Sequence, residues 1–213
     1  MFNWSLAKSK LLLPLTLGCA LCLGLNGCQS TSDLGAMSTQ ESFWQNMQSR
    51  VKAIKSITLT GRVKVAYKHD RFTTNFLYQG QDSNNYQLRL LSGVGKELAR
   101  IKVKDSKASL FSSGHLYEAD NAQELFAQYM DIPLPLNEFH NLILGIAPND
   151  MSVFNDFGIL LQSQVDNYVA NYRDYHTYQN VALPKEIEVL GPQLELLITT
   201  REIRDVEFNY PNN

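Results

Sequence analysis

Two hydrophobic periods alternate along this chain. From Ser38 onward, Phe43, Trp44, Met47, Val51 and Ile54 recur at helical spacing, and Ser38 with Glu41 makes a capping box. The period then drops to two. Ile57, Leu59, Val63 and Val65 share one face of a strand, while Thr58, Thr60, Arg62 and Lys64 share the other. A turn over 68–71 leads to Phe72, Thr74, Phe76 and Tyr78. Another over 80–84 leads to Tyr86, Leu88 and Leu90. Ala99, Ile101 and Val103 continue the alternation, with short strands to follow near 108–112 and 115–119.

Helical spacing returns over 120–130, with Asp120 as cap and Leu125, Phe126 and Tyr129 facing inward. The prolines of Ile132-Pro-Leu-Pro-Leu136 impose an extended break. Residues 137–144 form a third helix, apolar at Phe139, Leu142 and Ile143, ended by Gly145. Strands resume at roughly 159–165, 167–176, 184–190 and 193–208, the last two joined by a turn at Gly191-Pro192. Nine or ten strands linked by short turns predict an antiparallel meander with one apolar face. The fold class is therefore mainly β, an α+β arrangement in which a curved sheet and about three helices cover one another. So few helices cannot plug so wide a sheet, which points to an enclosed apolar cavity.

One turn departs from the rule that hairpin tips are polar. Residues 90–98 read LLSGVGKEL, and Gly93 and Gly95 flank a bare aliphatic Val94. Either Val94 projects as an apolar probe or it folds back onto the sheet.

The N-terminus follows a different pattern. Lys8 and Lys10 precede an uncharged, Leu-rich run over 11–25. Fifteen residues fall short of the roughly 20 that cross a bilayer, so the run predicts a cleaved signal peptide over 1–27. It ends in Leu25-Asn26-Gly27-Cys28, which resembles the bacterial lipobox, with an unusual Asn in the middle. That resemblance implies lipidation of Cys28, and Gln29 in place of Asp implies export to the outer membrane. Residues 28–38 then read as the lipidated Cys and a flexible tether spanning on the order of 15–20 Å. A single domain is expected over 39–213.

Cleavage changes both charge and cysteine content. Cys19 and Cys22 leave with the signal peptide, and acylation consumes Cys28, so the mature domain has no free thiol and no disulfide. Removing Lys8 and Lys10 leaves 17 basic against 21 acidic residues, which disfavours nucleic acid and offers no polybasic membrane anchor.

Catalytic patterns are nearly absent. His69, His115, His140 and His176 are scattered, and no HExxH, GxSxG or GxxxxGK[ST] motif occurs. No enzyme activity, metal or cofactor is expected. Ser113-Gly-His115 reads as turn chemistry, and Glu186 and Glu188 as the solvated face of a strand. Tyr168, Tyr172, Tyr175 and Tyr178 are either an aromatic binding surface or ordinary strand aromatics.

Three blocks resemble the LolB family of outer-membrane lipoprotein receptors. They are Gly61-Arg-Val-Lys-Val; Asn85-Tyr-Gln-Leu-Arg-Leu-Leu with Gly93-Val-Gly-Lys-Glu-Leu; and Tyr117-Glu-Ala-Asp-Asn-Ala-Gln-Glu-Leu with Ile132-Pro-Leu-Pro-Leu-Asn and Leu144-Gly-Ile-Ala-Pro148. Leu183-Pro-Lys-Glu-Ile-Glu-Val189 also fits, and coverage is good over about 57–148. The resemblance implies an incomplete antiparallel barrel lidded by helices, with a cavity for acyl chains. It implies lipoprotein cargo received from the periplasmic carrier LolA and inserted into the outer-membrane bilayer. The receptor would act as a monomer on the periplasmic face, anchored through Cys28.

On this reading the barrel lining comes from Leu59, Val63, Val65, Phe76, Tyr78, Tyr86, Leu88, Leu90 and Ile101. Trp44, Met47, Phe126, Leu142 and Ile143 line the lid. Residue by residue, a packed core explains the same side chains. Gly93, Val94 and Gly95 become a membrane-contacting loop, with Val where the family usually has Leu. Two alternatives stay open: a lipoprotein of this fold that binds another hydrophobic ligand, and a structural envelope lipoprotein with a packed core.

Overall fold

Long strands and tight turns dictate the architecture. The computed structural model describes residues 39–148 and 151–209. Cys28, the expected signal peptide and tether, and the expected Ser38 cap lie outside the described residues. A helix α1 (Thr39–Lys52) is followed by six strands: β1 (Ile54–Tyr67), β2 (Asp70–Asp82), β3 (Asn85–Leu91), β4 (Glu97–Lys104), β5 (Lys107–Ser112) and β6 (His115–Ala119). Next come α2 (Ala122–Met130), a 3-10 turn (Leu136–Glu138) and α3 (Phe139–Leu144). Five more strands close the chain: β7 (Val153–Phe154), β8 (Leu160–Val165), β9 (Tyr168–Tyr178), β10 (Val181–Gly191) and β11 (Leu194–Phe208).

All eleven strands join one antiparallel sheet in the order β6-β5-β4-β3-β2-β1-β11-β10-β9-β8-β7. The two halves of the meander meet where β11 returns beside β1, with Val63 opposite Ile198 and Val65 opposite Leu196. β6 and β7 do not pair, so the barrel is incomplete. Inward-facing residues form rows across the strands. One runs Tyr78, Leu88, Ile101, Leu110, and every member is buried. Such cross-strand rows are the unit of sheet stabilisation.

The helices close the apolar face. α1 packs on β1 and β10, α2 on β4, β5 and β6, and α3 on β2 and β10. α2 is capped by Asn121, whose side-chain oxygen accepts from the Glu124 amide at 2.8 Å, rather than by Asp120. Asp120 stands one position outside the cap. α3 ends at Gly145, as its sequence predicts.

Three further expectations need correction. Ile54 belongs to β1, opposite Phe208, and not to the stripe of α1. Among the described residues the strands number eleven rather than nine or ten, because β7 is only two residues long and leaves no period. Tyr129 is 42% exposed, since its ring lies on Tyr117 of the edge strand, 4.1 Å between centroids, instead of entering the core.

Gly61 is where β1, β2 and β11 crowd together. A Cβ there would lie 2.2 Å from the Thr199 carbonyl and 2.6 Å from the Phe76 ring, and a register shift falls at this position. Gly61→Ala should therefore displace Phe76 or β11 and cost about 1–3 kcal/mol, measurable as a lowered urea midpoint. An unchanged midpoint would show that the contact relaxes freely.

Candidate functional site

The register of the central strands sets out the floor of a pocket. Val63, Val65, Phe72, Thr74, Phe76, Leu88, Leu90, Ile101, Leu196 and Ile198 all face inward across β11, β1, β2, β3 and β4. Phe126 of α2, Leu134, Pro135, Leu136, and Phe139 and Leu142 of α3 roof it. Thr74 contributes the one hydroxyl to the lining, and it donates to the Leu91 carbonyl at 2.8 Å. The pocket therefore offers an apolar ligand no unsatisfied polar side chain to displace.

Its volume is only about 40 Å³. That is room for a few water molecules at most, so the roof rests on the floor and a chain-like ligand needs the roof to move. Phe72 at 38% exposure, with Val63 and Leu90 only partly buried, marks the wetter end. This end lies where β3 passes into the 92–96 loop, because Asn75 of β2 pairs with Leu91 and its amide donates to the Ser92 carbonyl.

Of the expected lining residues, the structure brings Val63, Val65, Phe76, Leu88, Leu90, Ile101, Phe126 and Leu142 together around the pocket. The others sit elsewhere. Leu59 and Ile143 are fully buried in the core. Trp44 stacks on Phe154 of β7, 5.0 Å between centroids, and Met47 is partly buried on α1. Tyr78 and Tyr86 lie beside the pocket, further along β2 and β3, where Phe139 packs on both rings at 5.6 and 6.3 Å. Pattern reading did not place Phe72, Thr74, Leu134, Pro135, Leu136, Phe139, Leu196 or Ile198 in the lining. The inward parity of Leu196 and Ile198 was visible, but their pairing with β1 depends on the long-range return of β11.

The lid, residues 132–147, is held by polar pins. The Tyr86 hydroxyl donates to the Leu136 carbonyl at 2.7 Å, and Tyr168 donates to the Pro133 carbonyl. Tyr78 and His140 Nδ1 share a 2.6 Å hydrogen bond, both side chains being buried. From α1, buried Gln48 grips the end of the lid twice: its Nε2 donates to the Gly145 carbonyl and its Oε1 accepts from the Ala147 amide. Tyr168, Tyr172 and Tyr175 of β9 thus behave as strand aromatics with inward hydroxyls, and Tyr178 packs partly buried against the core. Tyr172 meets Ser163 at 3.2 Å, and Tyr175 donates to the Leu160 carbonyl.

The tip of the 92–96 loop, Gly93 to Gly95, stands clear of the rest of the fold. Val94 is 93% exposed, and no atom lies within 4 Å of the Cβ positions of Gly93 or Gly95. The tip is nonetheless built. The Ser92 amide donates to the Lys96 carbonyl, Gly95 donates back to the Ser92 carbonyl, and the Lys96 amide donates to Ser92 Oγ. Gly95 has φ of 82°, so a side chain there would be strained. Gly93 is not in that region.

An open antiparallel barrel covered by helices is a fold that solved structures share. A LolA superfamily protein from Nitrosomonas europaea aligns with a TM-score of 0.50 at 9% identity, covering 80% of this chain and 96% of that one. The family follows from sequence. The model for "Outer membrane lipoprotein LolB" matches residues 55–202, and the chain belongs to that family. The outer-membrane lipoprotein LolB of Pasteurella multocida is 27% identical over 84% of this chain and 89% of its own length. That of Photorhabdus laumondii is 25% identical over 86% and 90%.

His140 offers a test of the lid's packing. Burial lowers its imidazole to about 4, against a smaller opposing pull from the Asp82 charge, so it is neutral in the fold. The unfolded chain protonates it near pH 6.5. Between those values the unfolded state holds a proton that the folded state lacks, so stability falls as pH drops from about 6.5 to about 4 and is unaffected above that window. The full loss is roughly 3 kcal/mol. His140→Gln should flatten this part of the profile when urea midpoints are compared at about pH 7 and 5. Parallel declines in both proteins would mean that His140 is not buried as described.

Proposed function

We propose that this protein is an outer-membrane lipoprotein receptor that accepts lipoproteins from a periplasmic LolA-type carrier and inserts them into the outer membrane. The observation that carries this reading is the pinned, wholly apolar pocket whose wetter end lies beside an almost fully exposed Val94. Membership of the LolB family makes it a lipoprotein-handling protein rather than an enzyme. Cys28, once acylated, anchors the domain on the periplasmic face, and the 28–38 segment sets its reach. The domain works as a monomer.

The energetics suit a lid that opens only for cargo. Each pin contributes about 1 kcal/mol net. Each acyl methylene kept from water gains about 0.8 kcal/mol, so several methylenes offset the pins at Tyr86, Tyr168 and Tyr78. With no nucleotide motif to supply work, direction comes from rising affinity, from carrier to this pocket to the bilayer. The pocket lining from β1 to β4, α2 and α3 holds the chains, and Val94 touches the bilayer next to where they leave. Burying a Val fully contributes only about 1.5–3 kcal/mol, which suits a transient touch by a tethered domain.

The test follows a radiolabelled lipoprotein from loaded carrier to this protein and then to vesicles. The label should leave the carrier for the wild-type receptor and appear in the bilayer. Val94→Glu should accept cargo at the normal rate and deliver it several-fold more slowly. If the label never leaves the carrier, the receptor reading fails. Normal delivery by Val94→Glu would remove the loop from the mechanism.

A further inference from the structure

Val94 is not the only apolar residue offered to solvent at its end of the sheet. β4 leaves the 92–96 loop at Glu97, and β5 ends in the 113–114 turn beside that start, with Ala99 paired to Ser112 and Ser112 to His115. On the outward face, Phe111 lies directly opposite Arg100 on one side and Leu116 on the other. Leu98, two residues before Arg100, is its diagonal neighbour, and the Ser112 hydroxyl donates to the Leu98 carbonyl. Leu98 is 49% exposed, Phe111 42% and Leu116 63%. These three side chains therefore continue Val94's apolar surface onto the convex side of the sheet, as far as the free edge strand β6.

Charge around this surface differs from the rest of the protein. The whole chain is acidic at net −2, yet β4 turns Arg100 and Lys102 outward beside Phe111, and Lys96 sits in the loop. Arg100 places its guanidinium over the Phe111 ring, 6.0 Å from the centroid. Of the two nearby acids, Glu97 is neutralised by Arg89 and Arg100 at 2.6 and 2.7 Å, and Glu118 lies two residues beyond Leu116 on β6. Apolar side chains fringed by cations match a bilayer surface, where acyl chains lie below phosphate headgroups.

We propose that Val94, Leu98, Phe111 and Leu116 form one membrane-docking face, in which the loop tip enters the bilayer while the outer side of the β4–β5–β6 edge lies on its surface. This rests on the reading that Val94 meets the membrane and extends it from a point to an area. An area does what a tip cannot: it fixes the orientation of a domain on a flexible tether. The wetter end of the pocket then faces the lipid that receives the cargo, and a smaller tip residue is compensated by the side chains around it.

The experiment uses the full-length acylated protein in vesicles of phosphatidylethanolamine and phosphatidylglycerol. Single cysteines replace Val94, Leu116 or, as control, Thr199 on the outer face of β11, and each carries a fluorophore quenched by nitroxide-labelled lipid. Quenching at 94 and 116 with none at 199 is expected. Quenching at 94 alone overturns the docking face and leaves the tip reading intact. Quenching at neither position overturns both, and equal quenching at 199 overturns the fixed orientation.

In the transfer assay, Phe111→Ser with Leu116→Ser should deliver cargo about tenfold more slowly, the effect of two partly inserted side chains. Acceptance from the carrier should be unchanged. Impaired acceptance with normal quenching of a fluorophore at 94 would make this face a protein-docking surface and overturn the proposal.

Discussion

Everything in this fold depends on covering the apolar face of a single eleven-stranded sheet. A sheet that wide, apolar on its inner side from Ala108 to Leu160, cannot leave that side in water. Curling into an incomplete barrel shelters part of it. Three short helices shelter the rest, but they are too few to fill the interior with their own side chains, so a pocket persists between Phe126, Phe139 and Leu142 above and Val63, Phe76 and Leu88 below. The pocket is a consequence of the strand-to-helix ratio.

The same constraint explains how the lid is held. A purely apolar roof on a purely apolar floor would slide, because dispersion and hydrophobic contact have little directionality. The hydroxyls of Tyr78, Tyr86 and Tyr168 supply direction from the sheet, and Gln48 supplies it from α1. Each is worth little in energy and much in position. A roof pinned at a few points, over a cavity collapsed to about 40 Å³, is stable when empty and still open to displacement by a long apolar ligand.

Much of this was legible in the residue pattern. Period-two runs located all of β1 to β6, because each has one clean apolar face, but β2 runs on through Asp70–Arg71 and Gly80–Asp82, where the turn formers predicted turns. Val94 stood out as the one aliphatic residue at a tip where polar residues belong. The remainder needed pairing over long distances. β7 is too short to show a period, and Ile54 fits a helical stripe equally well until Phe208 pairs with it. Tyr78 and Tyr86 read as cavity lining because their parity is correct, yet their position along the strand and the packing of Phe139 put them beside the pocket. Parity assigns a face; it does not assign a distance from the centre.

The central claim is that the collapsed pocket opens to hold acyl chains, and photo-crosslinking tests it most directly. A photoreactive phenylalanine analogue at Leu88 or Phe126, and as control at outward-facing Thr199, is illuminated while radiolabelled lipoprotein passes from carrier to receptor. Crosslinks to the acyl chains at 88 and 126 but not at 199 are predicted. Efficient transfer with no acyl crosslink at either pocket position would contradict the account and place the chains elsewhere.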